Sequence, residues 1–258
     1  MLGVPVLQPV NPHSPEVLSQ IAAWQPEALV VAAYGRILRP VLLGLPPYGC
    51  VNVHASLLPR WRGASPIQTA ILAGDLETGV SIMRMDPGMD TGPILAQQAT
   101  AILEADTAGT LSERLSQLGA DLLLRTLPGY IAGRLTPQPQ DGSQATVTRL
   151  LTKADGALDP REPAASLARK VRAYHPWPGT FLTWEARRIG VLQAAAVELA
   201  PLPPGEVVAT EQGPVVATTL GGLLLASVQP GGARSMSGAE FLRGQPAFAG
   251  ARLALPAM

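Results

Sequence analysis

Short apolar runs alternate with helically spaced apolar residues through the first half of the chain. The runs occupy residues 4–7, 28–33, 49–53 and 80–85. Continuous apolar runs of this length are typical of strands inside a parallel sheet. The helical repeat that follows them consists of Leu111, Leu115, Leu118 and Leu122. Strands that alternate with helices predict an α/β fold with a parallel sheet.

Capping sequences predict where several helices begin. Ser14-Pro15-Glu16 combines a capping hydroxyl, a proline at the first helical position and an acid in the first turn. Capping boxes, in which Ser or Thr precedes Gln or Glu by three residues, start at Ser65, Thr110 and Ser237. We expect Pro128-Gly129 to interrupt or kink the helix that follows Thr110.

The amino-acid composition of the chain changes after residue 133. A stretch rich in Pro, Gln, Thr, Gly and Ser is typical of a linker, which we assign to residues 134–150. Beyond a helix at 163–174, Gly and Pro separate strand-like runs at 180–184, 189–194, 207–210, 215–219 and 223–228. This punctuation predicts a small antiparallel barrel. We therefore expect a first domain over 1–133 and a second over 151–258.

Composition and charge argue against a disordered, a membrane-spanning or a strongly basic nucleic-acid-binding protein. With 258 residues, 47% hydrophobic and 15% charged, the chain is long enough for one large or two ordinary globular domains. Its formal net charge is zero, so whole-chain electrostatics predict no nucleic-acid partner. Cys50 is the single cysteine, and the three histidines lack metal-ligand spacing. Without a membrane-length apolar run or a signal-peptide pattern, we expect a cytoplasmic protein that needs no metal.

Three polar residues stand at the ends of predicted strands. Asn52 and His54 end one apolar run, and Asp90 follows the next within a Gly-Met-Asp-Thr-Gly segment. Because side chains alternate along a strand, Asn52 and His54 point to the same side. Ligands bind at the carboxyl ends of strands in a parallel sheet, so we expect the three to form one site. Singly, each has a plainer interpretation: a turn or cap, a satisfied histidine and a turn starter.

The three residue types suit transfer of a formyl group to an amine. Attack by the amine turns the carbonyl oxygen into an oxyanion, which the Asn52 amide or a charged His54 would stabilise. The amine also loses a proton, which requires a base or an oriented water. Asp90 would either keep His54 charged and oriented or position that water, since a neighbouring carboxylate favours the charged imidazole.

The motifs around these residues resemble those of the folate-dependent formyltransferases, and within them the methionyl-tRNA formyltransferase family. The resemblance is carried by Val4–Pro9, Asn52-Val53-His54, Ser56-Leu57-Leu58-Pro59, Pro59–Gln68, Gly88–Gly92 and Tyr174–Pro178. It implies an α/β fold with a Rossmann-like parallel sheet, amino-terminally incomplete here. It also implies a following small antiparallel OB-like β-barrel domain that contacts tRNA.

The same resemblance implies a reaction and the residues that perform it. The family transfers a formyl group from 10-formyltetrahydrofolate, its formyl-donor substrate, to the amino group of methionyl-initiator-tRNA. Catalysis is expected from Asn52, His54 and Asp90. Folate contacts are expected from Ser56, Leu57, Leu58 and Pro59. The implied partners are folate and initiator methionyl-tRNA, with no membrane, and we expect a complete chain to be a monomer.

Alternatives remain open at this point. The family begins with strand–helix units and a basic loop that are not in this sequence. In a doubly wound sheet the first of those strands pairs with residues 28–33, so we expect an unpaired edge there that favours aggregation. One alternative function is that of another 10-formyltetrahydrofolate-dependent transferase or hydrolase, with an amino sugar-nucleotide as substrate. The other alternative is a non-catalytic remnant that binds RNA.

Several basic residues also have two interpretations. Arg62 either contacts substrate or braces its own loop. Residues 150–258 carry ten basic and eight acidic residues, with small clusters at Arg169-Lys170-x-Arg172 and Arg187-Arg188. Such clusters are either solvated faces or contacts for RNA phosphates.

Overall fold

A four-stranded sheet organises the first half of the protein, whose computed structural model describes residues 3–256. The strands before residue 150 are β1 (Leu29–Ala32), β2 (Cys50–His54), β3 (Arg62–Gly63), β4 (Glu77–Arg84), β5 (Ile94–Ala101) and β6 (Val147–Thr148). The sheet has the order β1-β2-β4-β5. The two short strands β3 and β6 pair separately and in parallel.

The sheet is mixed, so the predicted parallel arrangement holds for only part of it. β1 runs parallel to β2, with Leu29 opposite Cys50, whereas β4 runs antiparallel to β2, with Ser81 opposite His54. β4 is buried at six consecutive positions. A strand buried on both faces has the same apolar pattern in either direction, so the pattern cannot report its orientation. Parallel pairing is confirmed for β1 and β2.

Two further strand predictions need correction. Residues 4–7 are exposed and outside any strand of the described chain. Pro5 and Pro9 offer no N–H for a ladder, which disfavours strand pairing in this stretch. β5 is not among the predicted strands, because its apolar residues are interrupted by glutamines and threonine. β1 lies at the edge of the described sheet, bonded to β2 on one side.

Four of the described helices begin within one residue of the predicted places, whereas the one at Pro40 is not among the predicted helices and two of the caps differ. They are α1 (Pro15–Ala23), α2 (Pro40–Leu43), α3 (Pro66–Ala73), α4 (Ala108–Ile131), α5 (Ala164–Ala173) and α6 (Gly238–Gly244). The Ser14 cap and the Ser237 capping box are confirmed. Ser65 makes no side-chain cap, because its hydroxyl donates instead to the Arg149 carbonyl. α4 starts before Thr110, whose N–H donates to the Thr107 hydroxyl, so that predicted box is wrong.

The long helix α4 comes close to the sheet at Gly119, and part of its predicted apolar stripe is buried. Leu111, Leu115 and Leu122 are buried. At Gly119 the helix comes so close to β2 that a Cβ would lie 2.8 Å from Cγ1 of Val53. The helix continues through Pro128, so the predicted interruption is wrong. Pro128 lies near the end of α4, where the missing N–H affects only the last turn.

By its internal contacts the described chain divides into two units. Unit 1 contains the described residues up to 64, with 79–100 and 115–148. Unit 2 contains 65–78, 101–114 and the described residues from 149 onward. Up to residue 148, the stretch assigned as a linker therefore belongs to unit 1, where Gln138 bridges to Ile94 and β6 pairs with β3.

A separate antiparallel sheet forms the core of unit 2. Its strands are β7 (Thr180–Trp184), β8 (Arg187–Val197), β9 (Val207–Thr210), β10 (Gly213–Ala217), β11 (Gly222–Pro230) and β12 (Met236–Ser237). The five predicted strands are confirmed. Their order is β7-β8-β11-β10-β9, with β12 beside β11. This path does not close on itself, so a closed barrel is not confirmed. None of the helices in the described residues is long and apolar enough to cross a membrane.

Candidate active site

Strand β2 presents two of the predicted catalytic residues on one side of the sheet. Asn52 and His54 are two positions apart, so their side chains leave the strand in the same direction. β2 lies between β1 and β4, which hold its backbone on both edges. The geometry of the strand therefore presents an amide and an imidazole together, as the spacing predicts.

Asp90 reaches these residues from the turn between β4 and β5. Its Oδ1 accepts a hydrogen bond from Nδ2 of Asn52 at 3.3 Å. Its Oδ2 lies 3.6 Å from Nδ1 of His54 and accepts a hydrogen bond from the Gly63 N–H at 2.8 Å. The structure thus brings together all three residues that the sequence nominated, and it adds a backbone donor from β3.

His54 has a defined hydrogen-bonding arrangement. The ring is buried, and its Nε2 lies 2.9 Å from the carbonyl oxygen of Trp61. A carbonyl only accepts hydrogen bonds, so Nε2 must carry the hydrogen. In a neutral ring Nδ1 would then turn a bare lone pair towards the carboxylate of Asp90. Nδ1 and Oδ2 of Asp90 lie 3.6 Å apart, which is within the range of an ion pair whenever the ring is protonated.

The predicted folate loop is tightly bound to β4. Ser56 and Leu58 are buried, and the Ser56 hydroxyl donates to the Arg60 carbonyl at 2.6 Å. The Leu58 N–H donates to the Ser81 hydroxyl, which in turn donates to the Ser56 carbonyl. Gln97 completes this network with a hydrogen bond to the Leu58 carbonyl at 2.9 Å. The loop is thereby held in one shape, with Leu57 and Pro59 only half-buried.

A glutamine that the sequence analysis did not single out also lies at the site. Nε2 of Gln140 donates to the carbonyl oxygens of Asp90 at 2.8 Å and Gly92 at 2.7 Å. Its Oε1 accepts from Nε and Nη2 of Arg62 at 3.0 and 2.7 Å. The bracing interpretation of Arg62 therefore has direct support. Gln140 lies in a stretch that composition marks as a linker, and no local motif distinguishes it.

The basic cluster on α5 is bonded within unit 2. Lys170 donates to the Ala157 carbonyl at 2.9 Å and pairs with Glu162 at 3.4 Å. Arg172 donates to the Asp106 carbonyl at 2.9 Å, and burial lowers the pKa of its guanidinium. These side chains are partly buried, so a freely solvated face is a wrong description of them. Arg187 and Arg188, by contrast, are exposed.

The single cysteine lies in the core of the protein. Cys50 is fully buried in β2, and burial raises the pKa of its thiol to about 11. This confirms the sequence interpretation of a small buried apolar group. Within residues 3–256 there is no group of three or more His, Cys, Asp or Glu side chains placed to hold a metal ion.

Comparison with known sequences identifies the family. The profile described as Formyl transferase matches residues 4–127, and the one described as Formyl transferase, C-terminal domain, matches residues 150–246. The chain belongs to the formyl transferase family. It is 46% identical to methionyl-tRNA formyltransferase of Roseiflexus sp. over 98% of this chain and 78% of that protein. It is also 46% identical to methionyl-tRNA formyltransferase of Methylococcus capsulatus, over 97% and 82%.

Solved structures share the fold at lower sequence identity. Methionyl-tRNA formyltransferase from Clostridium thermocellum matches with a TM-score of 0.57 and 22% identity, over 70% of this chain and 77% of that one. HypX from Aquifex aeolicus in complex with tetrahydrofolic acid matches with a TM-score of 0.67 and 16% identity. That match covers 89% of this chain and 41% of HypX. At these identities the structural matches establish the fold alone.

Proposed function

We propose that this protein transfers a formyl group from 10-formyltetrahydrofolate to the amino group of methionyl-initiator-tRNA. The observation that carries the proposal is the Asp90 carboxylate bonded to Asn52 and facing His54. That arrangement occurs in a chain with 46% identity to methionyl-tRNA formyltransferases over nearly its whole length. We propose Asn52, His54 and Asp90 as the catalytic residues.

The reaction balances without any redox partner. The lone pair of the methionyl amino nitrogen attacks the formyl carbon, and the π electrons of the carbonyl move to its oxygen. When the tetrahedral intermediate collapses, the bond between the formyl carbon and N10 of the folate breaks. N10 gains a proton and the amino nitrogen loses one. The protein must therefore stabilise one oxyanion and manage one proton transfer.

Asn52 is the proposed donor to the oxyanion. Its Nδ2 carries two hydrogens, and Asp90 accepts one of them. This contact orients the amide, so the second hydrogen points in a fixed direction before the substrate arrives. A donor held in place in this way needs no reorganisation during the reaction, which is the source of its effect on the rate.

His54 and Asp90 act as a pair in this proposal. Both nitrogens of His54 face protein atoms, so the ring acts through Asp90 instead of touching the substrate directly. When the ring is protonated, its positive charge faces the carboxylate of Asp90 and helps to fix its direction. The lone pairs of Asp90 that remain after bonding to Asn52 and Gly63 orient a water that takes the proton of the amine.

Folate binding is proposed for the loop of Ser56, Leu57, Leu58 and Pro59. Ser56 and Leu58 contribute by fixing the shape of the loop, because their side chains are buried. Leu57 and Pro59 are the members with accessible apolar surface. We also propose that residues 151–258 form an OB-like domain with a role in tRNA binding, and that 134–150 connect it to residues 1–133, the connecting stretch up to residue 148 being part of unit 1.

A labelled-donor assay tests the proposed function. The chain is incubated with methionyl-initiator-tRNA and 10-formyltetrahydrofolate that carries a radioactive formyl carbon, and label on the tRNA is counted. Asp90→Asn is the inactive control, and Asp86→Asn is the matched control from the same turn. Parallel reactions replace the tRNA by an amino sugar-nucleotide or by water alone.

The outcomes of that assay separate the alternatives. Label on methionyl-initiator-tRNA that depends on Asp90 supports the proposal. Label on the sugar nucleotide, or free formate, assigns the chain to another transferase or to a hydrolase. If no label moves while tRNA is still retained on a filter, the chain is a non-catalytic RNA-binding protein.

A further inference from the structure

The side-chain amide of Gln140 joins the Asp90 turn to the loop that carries Arg62. We propose that Gln140 is a positioning residue for the formyl transfer, which it serves by holding Asp90 against Asn52 and His54. This inference rests on the proposed function. It concerns a residue in the stretch between the two matched family regions, 4–127 and 150–246.

Every hydrogen-bonding group of the Gln140 side chain is in use. Its two N–H groups serve the carbonyls of Asp90 and Gly92. Its oxygen accepts two bonds from one edge of the Arg62 guanidinium. An amide with both donors and its acceptor satisfied holds its neighbours in one geometry. Among the described residues, the side chain of Gln138, two residues away on the same stretch, bonds to the nearby Thr136 carbonyl alone.

The Asp90 turn requires such support. Asp90 has φ of 53°, a left-handed backbone that side-chain-bearing residues rarely adopt. Such strained positions persist only where the surroundings fix them. The start of the turn is tied by Asp86, which accepts from the Gly88 N–H and the Thr91 hydroxyl. Gln140 ties the end of the turn, at Asp90 itself and at Gly92.

The same amide also reaches the Asp90 carboxylate by a second route. Arg62, which Gln140 holds, directly precedes Gly63 in β3. The Gly63 N–H donates to Oδ2 of Asp90 at 2.8 Å. Gln140 therefore fixes both the backbone of Asp90 and one donor to its side chain. Loss of the amide should release the carboxylate without removing any group that touches the substrates.

A double-mutant cycle tests whether Gln140 acts through Asp90. Turnover is measured for the unmodified chain, Gln140→Ala, Asp90→Asn and the double variant. We expect Gln140→Ala to lower kcat by roughly 10- to 100-fold, the scale for a misplaced catalytic group, with KM for both substrates within about twofold. In the Asp90→Asn background the same change should have no further effect. Additive losses, or a change in KM alone, would overturn the proposal.

Gln140→Glu separates the two contacts of the side chain. A carboxylate of the same shape still accepts from Arg62 but cannot donate to the carbonyls of Asp90 and Gly92. We expect it to lose at least as much kcat as Gln140→Ala. Full activity in Gln140→Glu would assign the role to the Arg62 contact and refute a role through Asp90. Gln138→Ala is the matched control and should keep normal kcat and thermal stability.

A measurement that needs no catalysis separates a failure of this inference from a failure of the proposed function. Hydrogen exchange of the Gly63 amide reports directly on its bond to Asp90. It should be faster in Gln140→Ala than in the unmodified chain and unchanged in Gln138→Ala. If the unmodified chain shows no turnover, the proposed function fails, and the exchange rates still decide the role of Gln140. Equal Gly63 exchange in all three proteins would overturn it.

Discussion

Nε2 of His54 lies 2.9 Å from the carbonyl oxygen of Trp61. This contact leaves Nδ1 as the ring nitrogen that faces Asp90, whose Oδ2 lies 3.6 Å away. Trp61 itself has φ of 59°, a left-handed backbone, and its N–H donates to the Thr146 hydroxyl at 2.9 Å. The ring of His54 is thus oriented by a backbone group that is itself held by a residue far along the chain.

Replacing the Asp90 carboxylate should impair chemistry more than binding. In Asp90→Asn the side chain keeps its shape but can no longer form an ion pair with His54. We expect turnover to fall by roughly a hundredfold or more, with little change in folate affinity. Steady-state kinetics and equilibrium titration with the folate measure the two quantities. Asp86→Asn keeps the Oδ1 that accepts from Gly88 and Thr91, so it should leave turnover near normal. Near-normal turnover in Asp90→Asn would remove Asp90 from the mechanism.

Asn52→Ala tests the proposed oxyanion donor. Removing the amide should raise the activation free energy by about 2–4 kcal/mol, seen as a lower kcat. If KM rises while kcat is unchanged, Asn52 binds the ground state and does not favour the transition state. Thermal unfolding of the variant checks that β2 remains intact.

Gly119 in α4 should tolerate no side chain, because of its closeness to Val53 in β2. Alanine favours a helix by about 1 kcal/mol over glycine, but overpacking a core costs about 1–3 kcal/mol. We expect Gly119→Ala to be destabilised on balance and to lose activity, since β2 carries Asn52 and His54. Gly129→Ala, whose methyl would meet the exposed Leu135 side chain at 3.3 Å, should be neutral or stabilised in urea unfolding. Equal stability of both variants would contradict this account.

Acid should weaken unit 2 through Asp106. Hydrogen bonds from Arg114 hold the pKa of Asp106 below its ordinary value of 3.8. Because the pKa of Asp106 is lower in the folded than in the unfolded state, its ionised form stabilises the folded protein at any pH above the unfolded-state pKa. This stabilisation is lost as the pH falls through the folded-state pKa. Asp106→Asn should lower the free energy of unfolding by about 2 kcal/mol at pH 7 and by less near pH 3. Urea unfolding at the two pH values measures this difference. Asp121→Asn, exposed on α4, is the control and should leave the free energy of unfolding at pH 7 close to that of the unmodified chain.

Arg187 and Arg188 are the residues of the second half of the chain that we expect to contact tRNA. Both are exposed where β8 begins, whereas Lys170 and Arg172 bond within unit 2. Reversing both charges to Glu should weaken tRNA binding and flatten its dependence on salt. Filter binding across salt concentrations measures both effects, with Arg243→Glu as the control. An unchanged salt slope would leave the pair as a solvated face.

Local sequence determined the features that depend on neighbouring residues. The strand at 49–53, the cap at Ser14 and the alternation that aligns Asn52 with His54 all follow from spacing of 1–4 residues. Backbone periodicity acts over that same distance, so these features are visible without a tertiary fold. The identity of the site also depended on short motifs, which is why the sequence alone was enough to nominate Asp90.

The tertiary structure decided the contacts that join distant segments. Whether β4 runs parallel or antiparallel to β2 depends on chain connection, since its apolar run is the same either way. Gln140 approaches Asp90 across 50 residues of chain, and a composition that marks a flexible stretch gives no sign of it. Hydrogen bonds between residues so far apart in sequence form only where the tertiary fold brings the two backbone segments together. For that reason the triad was readable from sequence, whereas the residues that hold it in place were not.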